Sequence, residues 1–109
     1  MATAVNGSVL HAGALEIRPY EFVALADGRP LRLTVRELQL LTALAQRAGR
    51  IVSREELYQE VWAAPYRKSD RSVDVYVGKL RLKLERALPD QRFIHTHFGF
   101  GYRFASERD

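Results

Sequence analysis

The sequence predicts an α+β domain: an N-terminal antiparallel sheet, three helices and a closing β-hairpin. Three observations carry this. Short apolar runs broken by turn residues fill residues 9–33, apolar positions at the helical period recur in three stretches between residues 34 and 88, and two aromatic-rich runs meet at a glycine-containing bend over residues 92–104.

Residues 1–8 are small, polar and aperiodic, and read as a loose tail or linker remnant ahead of a domain spanning 9–109. In the first run, Leu15 and Ile17 alternate with Glu16 and Arg18, Phe22, Val23 and Leu25 follow Pro19, and Asp27-Gly28 precedes Leu31 and Leu33. Asp-Gly between alternating runs signals a hairpin, so three or four short strands are expected.

Thr34-Val35-Arg36-Glu37 has the form of a capping box and starts the first helix. Val35, Leu38, Leu41, Ala45 and Ala48 form its apolar face, widened by Leu40 and Leu44, and Gly49 ends it. Ile51-Val52 is a short extended link. Ser53-Arg54-Glu55-Glu56 repeats the capping signature and opens a second helix through Leu57, Tyr58, Val61 and Trp62. Residues 63–70, with Pro65, form a loop that is long for a helix-to-helix connection. Asp70 or Ser69 can cap the third helix, expected over residues 71–87 and stopped by Leu88-Pro89-Asp90. Arg92-Phe93-Ile94-His95-Thr96 and Tyr102-Arg103-Phe104 then pair as a hairpin.

At 109 residues with 47% hydrophobic and 28% charged composition, the chain fits one globular domain. It has no cysteine, no run near the ~18 apolar residues of a membrane span and no charged-then-apolar signal segment, so a cytoplasmic protein without disulfides is expected. Its net charge of +4 is localised. Residues 1–66 hold seven Lys or Arg against seven Asp or Glu, whereas residues 67–103 hold nine against four. The surplus lies in the third helix and the hairpin after it, as expected of a domain presenting one face to a polyanion.

That third helix organises the chain. Val73, Val77, Leu80, Leu84 and Leu88 make a stripe that must be buried, and the opposite side collects Arg71, Val75, Gly78, Lys79, Leu82 and Arg86, flanked by Arg81 and Lys83. A solvated face gains nothing from Val75. A thymine methyl or a packed sugar in a DNA major groove would cover it, with Lys and Arg answering phosphates and guanine edges. A membrane-surface helix would show bulkier apolar residues there.

No enzyme, metal or cofactor is expected. Glu55 and Glu56 are adjacent on a helix and point about 100° apart, so they form no shared acid-base site. His95 and His97 share a strand face, but a metal needs three or four ligands and the remaining histidine is His11. No nucleophile, base and orienter set can be assembled, and no phosphate-cradling glycine loop occurs.

Two helices joined by a loop, the second basic on its exposed face, then a β-hairpin, is the order of a winged helix-turn-helix. Ser53-Arg54-Glu55-Glu56-Leu57 leading to Val61-Trp62, Arg71-Ser72-Val73-Asp74-Val75-Tyr76-Val77 continuing to Leu80-Arg81 and Lys83-Leu84-Glu85, and Gly99-Phe100-Gly101-Tyr102-Arg103-Phe104 together resemble the effector domain of OmpR/PhoB-family response regulators over residues 15–104. The resemblance implies an N-terminal four-stranded sheet, a third helix in the major groove, a wing near the adjacent minor groove and a loop facing RNA polymerase. By position, it implies phosphate contacts from Arg71 and Ser72, base contacts from Val75, Gly78 and Lys79, and flanking contacts from Tyr76, Arg81, Lys83 and Thr96 with His97 and Phe98. Pro65, Tyr66, Arg67 and Lys68 would form the polymerase-facing loop. Trp62 matches a position close to the DNA backbone and is equally a core anchor.

Lys79 stands where the family often has Arg, which loosens two-pronged guanine recognition. Phe98 replaces the family's usual wing Arg. Three outcomes are open: a wing grazing phosphates, an aromatic wedge against sugars, or an apolar tip for a protein partner, the first two favoured jointly. The expected function is sequence-specific binding of double-stranded DNA and transcription regulation in a two-component system, by a C-terminal fragment or a stand-alone effector. The domain is expected to be monomeric alone and a head-to-tail dimer on direct repeats. The competing class is a protein-interaction module using Val75, Leu82, Phe98 and Phe100.

Overall fold

The structure, a computed structural model, describes residues 9–108. The tail expected over residues 1–8 lies outside them. The chain runs through β1 (Leu10–Ala12), β2 (Leu15–Arg18), a 3-10 turn (Pro19–Glu21), β3 (Val23–Ala26) and β4 (Arg29–Pro30). There follow α1 (Val35–Ala45), β5 (Ile51–Val52), α2 (Arg54–Trp62), α3 (Ser72–Ala87), β6 (Gln91–His97) and β7 (Gly101–Arg108). The expected α+β winged helix is what forms.

The first four strands make one antiparallel sheet in chain order. Alternation sets its buried face: Leu15 and Ile17 on β2 and Ala24 and Ala26 on β3 point inward. Asp27 and Gly28 close the β3–β4 hairpin with φ of 56° and 80°, the positive values that select Asp-Gly. The second sheet has the order β5-β7-β6. Ile51-Val52 is therefore a strand of the wing sheet, pairing with Arg103 and Tyr102. Gly101 makes that pairing possible: a Cβ there would lie 2.0 Å from the Val52 carbonyl oxygen.

The capping box of α1 is complete. The Thr34 hydroxyl accepts from the Glu37 amide at 3.2 Å, and the Glu37 carboxylate accepts from the Thr34 amide at 2.8 Å. At α2 it is half formed: Ser53 accepts from the Glu56 amide, but the Glu56 carboxylate turns to Arg50 at 2.7 Å. Helix α1 also departs from the expected face. Val35 is exposed, Ala48 lies beyond the helix end and is exposed, and Glu37 is buried. The helix is enclosed by α2, α3 and β7, so its inner surface is wider than one stripe and includes Leu38, Leu40, Leu41, Ala43, Leu44 and Ala45. Gly49, at φ 86°, donates its amide to the Phe104 carbonyl and ties the turn after α1 to the wing.

One core receives all of these elements. Val73, Val77, Leu80, Leu84 and Leu88 meet Leu40, Leu41, Leu44, Leu57 and the ring pair Phe93–Phe104, as the periodicity of the third helix requires.

Candidate nucleic-acid interface

Helix α3 begins one residue after its expected start and ends where expected. Asp70 caps it by accepting from the Ser72 amide at 2.8 Å, and the Ser72 hydroxyl and amide hold the Asp70 carboxyl below the ordinary aspartate value. Arg71 is exposed and its guanidinium lies 3.9 Å from Asp74.

The side of α3 turned away from the core presents Arg71, Val75, Gly78, Lys79, Leu82 and Arg86, all exposed. Half of Val75 and nearly half of Leu82 face solvent. The Lys79 ammonium lies 5.0 Å from the Tyr76 ring centre, and Tyr76 packs edge-on against Trp62 at 5.4 Å.

Two half-buried residues expected on this surface bond to other elements of the chain. Arg81 donates from Nε to the Ile94 carbonyl at 3.1 Å and from Nη2 to the Thr96 hydroxyl at 2.5 Å. Burial pushes its guanidinium below the ordinary arginine value, and the Thr96 hydroxyl, as acceptor, keeps its own O–H to donate. Lys83 donates from Nζ to Glu37 at 2.7 Å and to the Arg32 carbonyl at 2.8 Å. Both lie on the flanks of α3, where a long side chain reaches either way, and in each case an acceptor distant in sequence decided the direction.

The wing is fastened to α3 at a second point. The Tyr102 hydroxyl donates to Asp74, which also accepts from Arg54 Nε at 2.6 Å. The guanidinium carbons of Arg54 and Arg81 each lie 5.5 Å from the Tyr102 ring centre, so both cations reach one ring. Burial pushes the Asp74 carboxyl up, but the Tyr102 hydroxyl and the Arg54 guanidinium more than reverse this and leave it below the ordinary value. Sequence reasoning missed this set of Arg54, Asp74 and Tyr102. Its one local signal was an acidic residue in the first turn of a basic helix.

An aromatic series leads from the α2–α3 loop toward the outer face of α3. Tyr66 tilts onto Tyr58 at 5.6 Å, Tyr58 stacks on Trp62 at 5.2 Å and Trp62 meets Tyr76. Arg36 covers Trp62 at 5.0 Å and donates to the Val61 carbonyl at 2.7 Å. Trp62 is thus an anchor between α1, α2 and α3 that is still partly exposed. In the loop, Pro65, Arg67 and Lys68 are exposed and Tyr66 is half-buried.

At the wing tip the Phe100 amide donates to the His97 carbonyl at 2.9 Å, which closes the turn and leaves Phe98 and Phe100 exposed. His97 Nε2 accepts from Arg103 Nε at 3.0 Å, and His95 Nε2 lies 2.9 Å from the Ala105 carbonyl. Among the described residues, no three or more His, Asp or Glu side chains gather where they could hold a metal ion.

The described residues contain no helix long and apolar enough to cross a membrane. A cross-braced wing beside a helix with a basic-rimmed, partly apolar outer face defines a winged helix-turn-helix domain of the response-regulator type. The chain belongs to the family described as "Transcriptional regulatory protein, C terminal", which matches residues 28–104. It is 41% identical over 106 residues to the transcriptional regulatory protein CpxR of Escherichia coli, covering 93% of this chain and 44% of CpxR. The chain thus spans less than half the length of that relative. The crystal structure of the E. coli CpxR DNA-binding domain superposes with a TM-score of 0.80 at 37% identity, covering 92% of this chain and 98% of that one. The Klebsiella pneumoniae RstA DNA-binding domain in complex with the RstA box gives 0.81 at 32%, covering 90% and 97%.

Proposed function

We propose that this domain binds double-stranded DNA sequence-specifically and regulates transcription as the effector of a two-component response regulator, with no catalytic role. The observation that carries the reading is the outer face of α3, where exposed Val75, Gly78 and Lys79 lie between Arg71 and Arg86 with none of the described residues covering them. An α-helix fits the major groove, and this face pairs cations with apolar contacts. The RstA domain solved on its DNA box supports it.

In this reading Arg71 and Ser72 take phosphates, Val75, Gly78 and Lys79 face bases, and Tyr76 reaches the backbone. His97 and Phe98 approach from the wing. Arg81, Lys83 and Thr96 flank this set as backbone contacts, and Arg81 also orders the wing through its bonds to Ile94 and Thr96. Pro65, Tyr66, Arg67 and Lys68 form a surface for RNA polymerase. Pairing of copies is head-to-tail on direct repeats, and the compartment is the cytoplasm.

Binding to a selected duplex is expected to weaken with salt by a log-log slope of about 0.9 per phosphate contacted. Lys79→Ala is expected to lose about 1 to 3 kcal/mol and to relax preference at one base pair. Titration of both proteins against single-base variants of the site checks this. A flat salt response with unchanged preference would favour a protein-interaction module instead. Phe98→Arg is expected to raise affinity for A·T-flanked sites, where a narrow minor groove attracts guanidinium, and unchanged binding would mean that the wing tip lies off the groove.

A further inference from the structure

We infer that α3 selects thymine methyl groups, reading about three consecutive base pairs through an apolar strip formed by Val75, Gly78 and Leu82. This rests on the DNA-binding reading above and adds which bases are chosen.

Positions 75, 78 and 82 fall at i, i+3 and i+7, on the side of the helix opposite the buried stripe. Val75 is 50% and Leu82 46% exposed, so neither is spent on the core. From Val75 to Leu82 the helix rises about 10 Å, the height of roughly three base-pair steps.

Gly78 supplies an independent observation. Its backbone is helical, and an added Cβ would meet nothing within 4 Å. The fold therefore has no use for glycine there, and glycine is among the weakest residues in a helix interior. A missing side chain in the middle of the strip leaves a shallow place where a groove floor can approach the helix backbone.

The hydrogen-bonding inventory narrows the choice further. Exposed positions from Val75 to Leu82 are Val75, Gly78, Lys79 and Leu82, and none carries an acceptor. Two-pronged reading of adenine by Asn or Gln, and acceptance from the cytosine amino group by Asp or Glu, are both absent from the strip. Lys79 can donate to guanine or thymine oxygen from one edge. The apolar element that the major groove offers is the thymine C5-methyl.

The test is replacement of each thymine in a selected binding site by deoxyuridine, which removes the methyl and leaves the pairing edge intact. Under α3, each of one to three such replacements is expected to weaken binding roughly fourfold, the effect of one buried methyl, with the salt slope unchanged. In Val75→Ser, the penalty at the base beneath it should vanish. Gly78→Ala is expected to raise Tm by about 4 °C or more while weakening binding. Sequence-specific binding indifferent to deoxyuridine at every position overturns the inference and leaves the DNA-binding reading standing. Absence of any sequence preference overturns both. Intact duplex binding by Val75→Ser and Leu82→Ser overturns the inference and assigns the strip to a protein contact.

Discussion

Gly101→Ala is expected to cost the domain about 3 kcal/mol or more and to lower its Tm by about 12 °C or more. A Cβ at this position would lie 2.0 Å from the Val52 oxygen, 2.7 Å from its carbonyl carbon and 2.9 Å from the Ser53 Cα. All three are backbone atoms, so no flexible side chain can swing aside. The φ of 142° adds strain for any residue with a Cβ. Relief requires prising β5 from β7, which moves Tyr102 away from Asp74 and loosens the wing. Thermal melting beside Gly28→Ala, which shares a positive φ but has open space, separates the clash from the strain. An alanine variant at 101 melting within a few degrees of the parent chain would be incompatible with this close crossing.

Lys83→Met is expected to destabilise the domain by about 2 kcal/mol, less than the ~3–5 of a fully buried broken pair, because the Lys83 side chain is 35% exposed and water screens it. Its partner is not screened: the Glu37 side chain is 3% exposed. Burial pushes the Glu37 carboxyl up, but Lys83 and the Thr34 amide and hydroxyl together outweigh it and hold the carboxyl below the ordinary glutamate value. A carboxyl lowered by folding contributes stability that is present above its unfolded pKa, about 4.3, and is lost as pH falls through the folded value. Denaturant unfolding between pH 7 and 3 is therefore expected to show an acid loss in the parent chain that is shallower in Lys83→Met, where the folded value moves back up. Parallel pH profiles would remove Glu37 from the acid response. Adding Glu37→Gln should recover part of the loss, since the buried charge is then gone.

Local chemistry explains which features could be read beforehand. Asp27-Gly28, Thr34 with Glu37, Asp70 before α3 and Pro89 after it each act within a few residues, and each stands where its pattern placed it. The apolar stripe of α3 was legible because a single period ran through sixteen residues. The intrachain partners of Lys83 and Arg81 were not legible because their acceptors sit on other elements, Glu37 being 46 residues earlier and Ile94 thirteen later. Nothing near a flanking cation in sequence states which way it turns. Val35 also departs from its expectation: it occupies the helical period of α1 but stays exposed, while Glu37 and Leu38 of the same turn are buried. The role of Gly101 depended on Ile51-Val52 becoming a strand, and two residues carry too little periodicity to announce one.

The braces between wing and recognition helix leave the two with one relative orientation. Arg81 bridges to Ile94 and Thr96, while Tyr102 bridges back to Asp74. The domain then works as a caliper with a set opening. On the DNA-binding reading proposed above, a double helix held by both jaws has to supply the bending itself, so flexible steps such as TA or CA are expected to gain affinity even where no side chain reaches them.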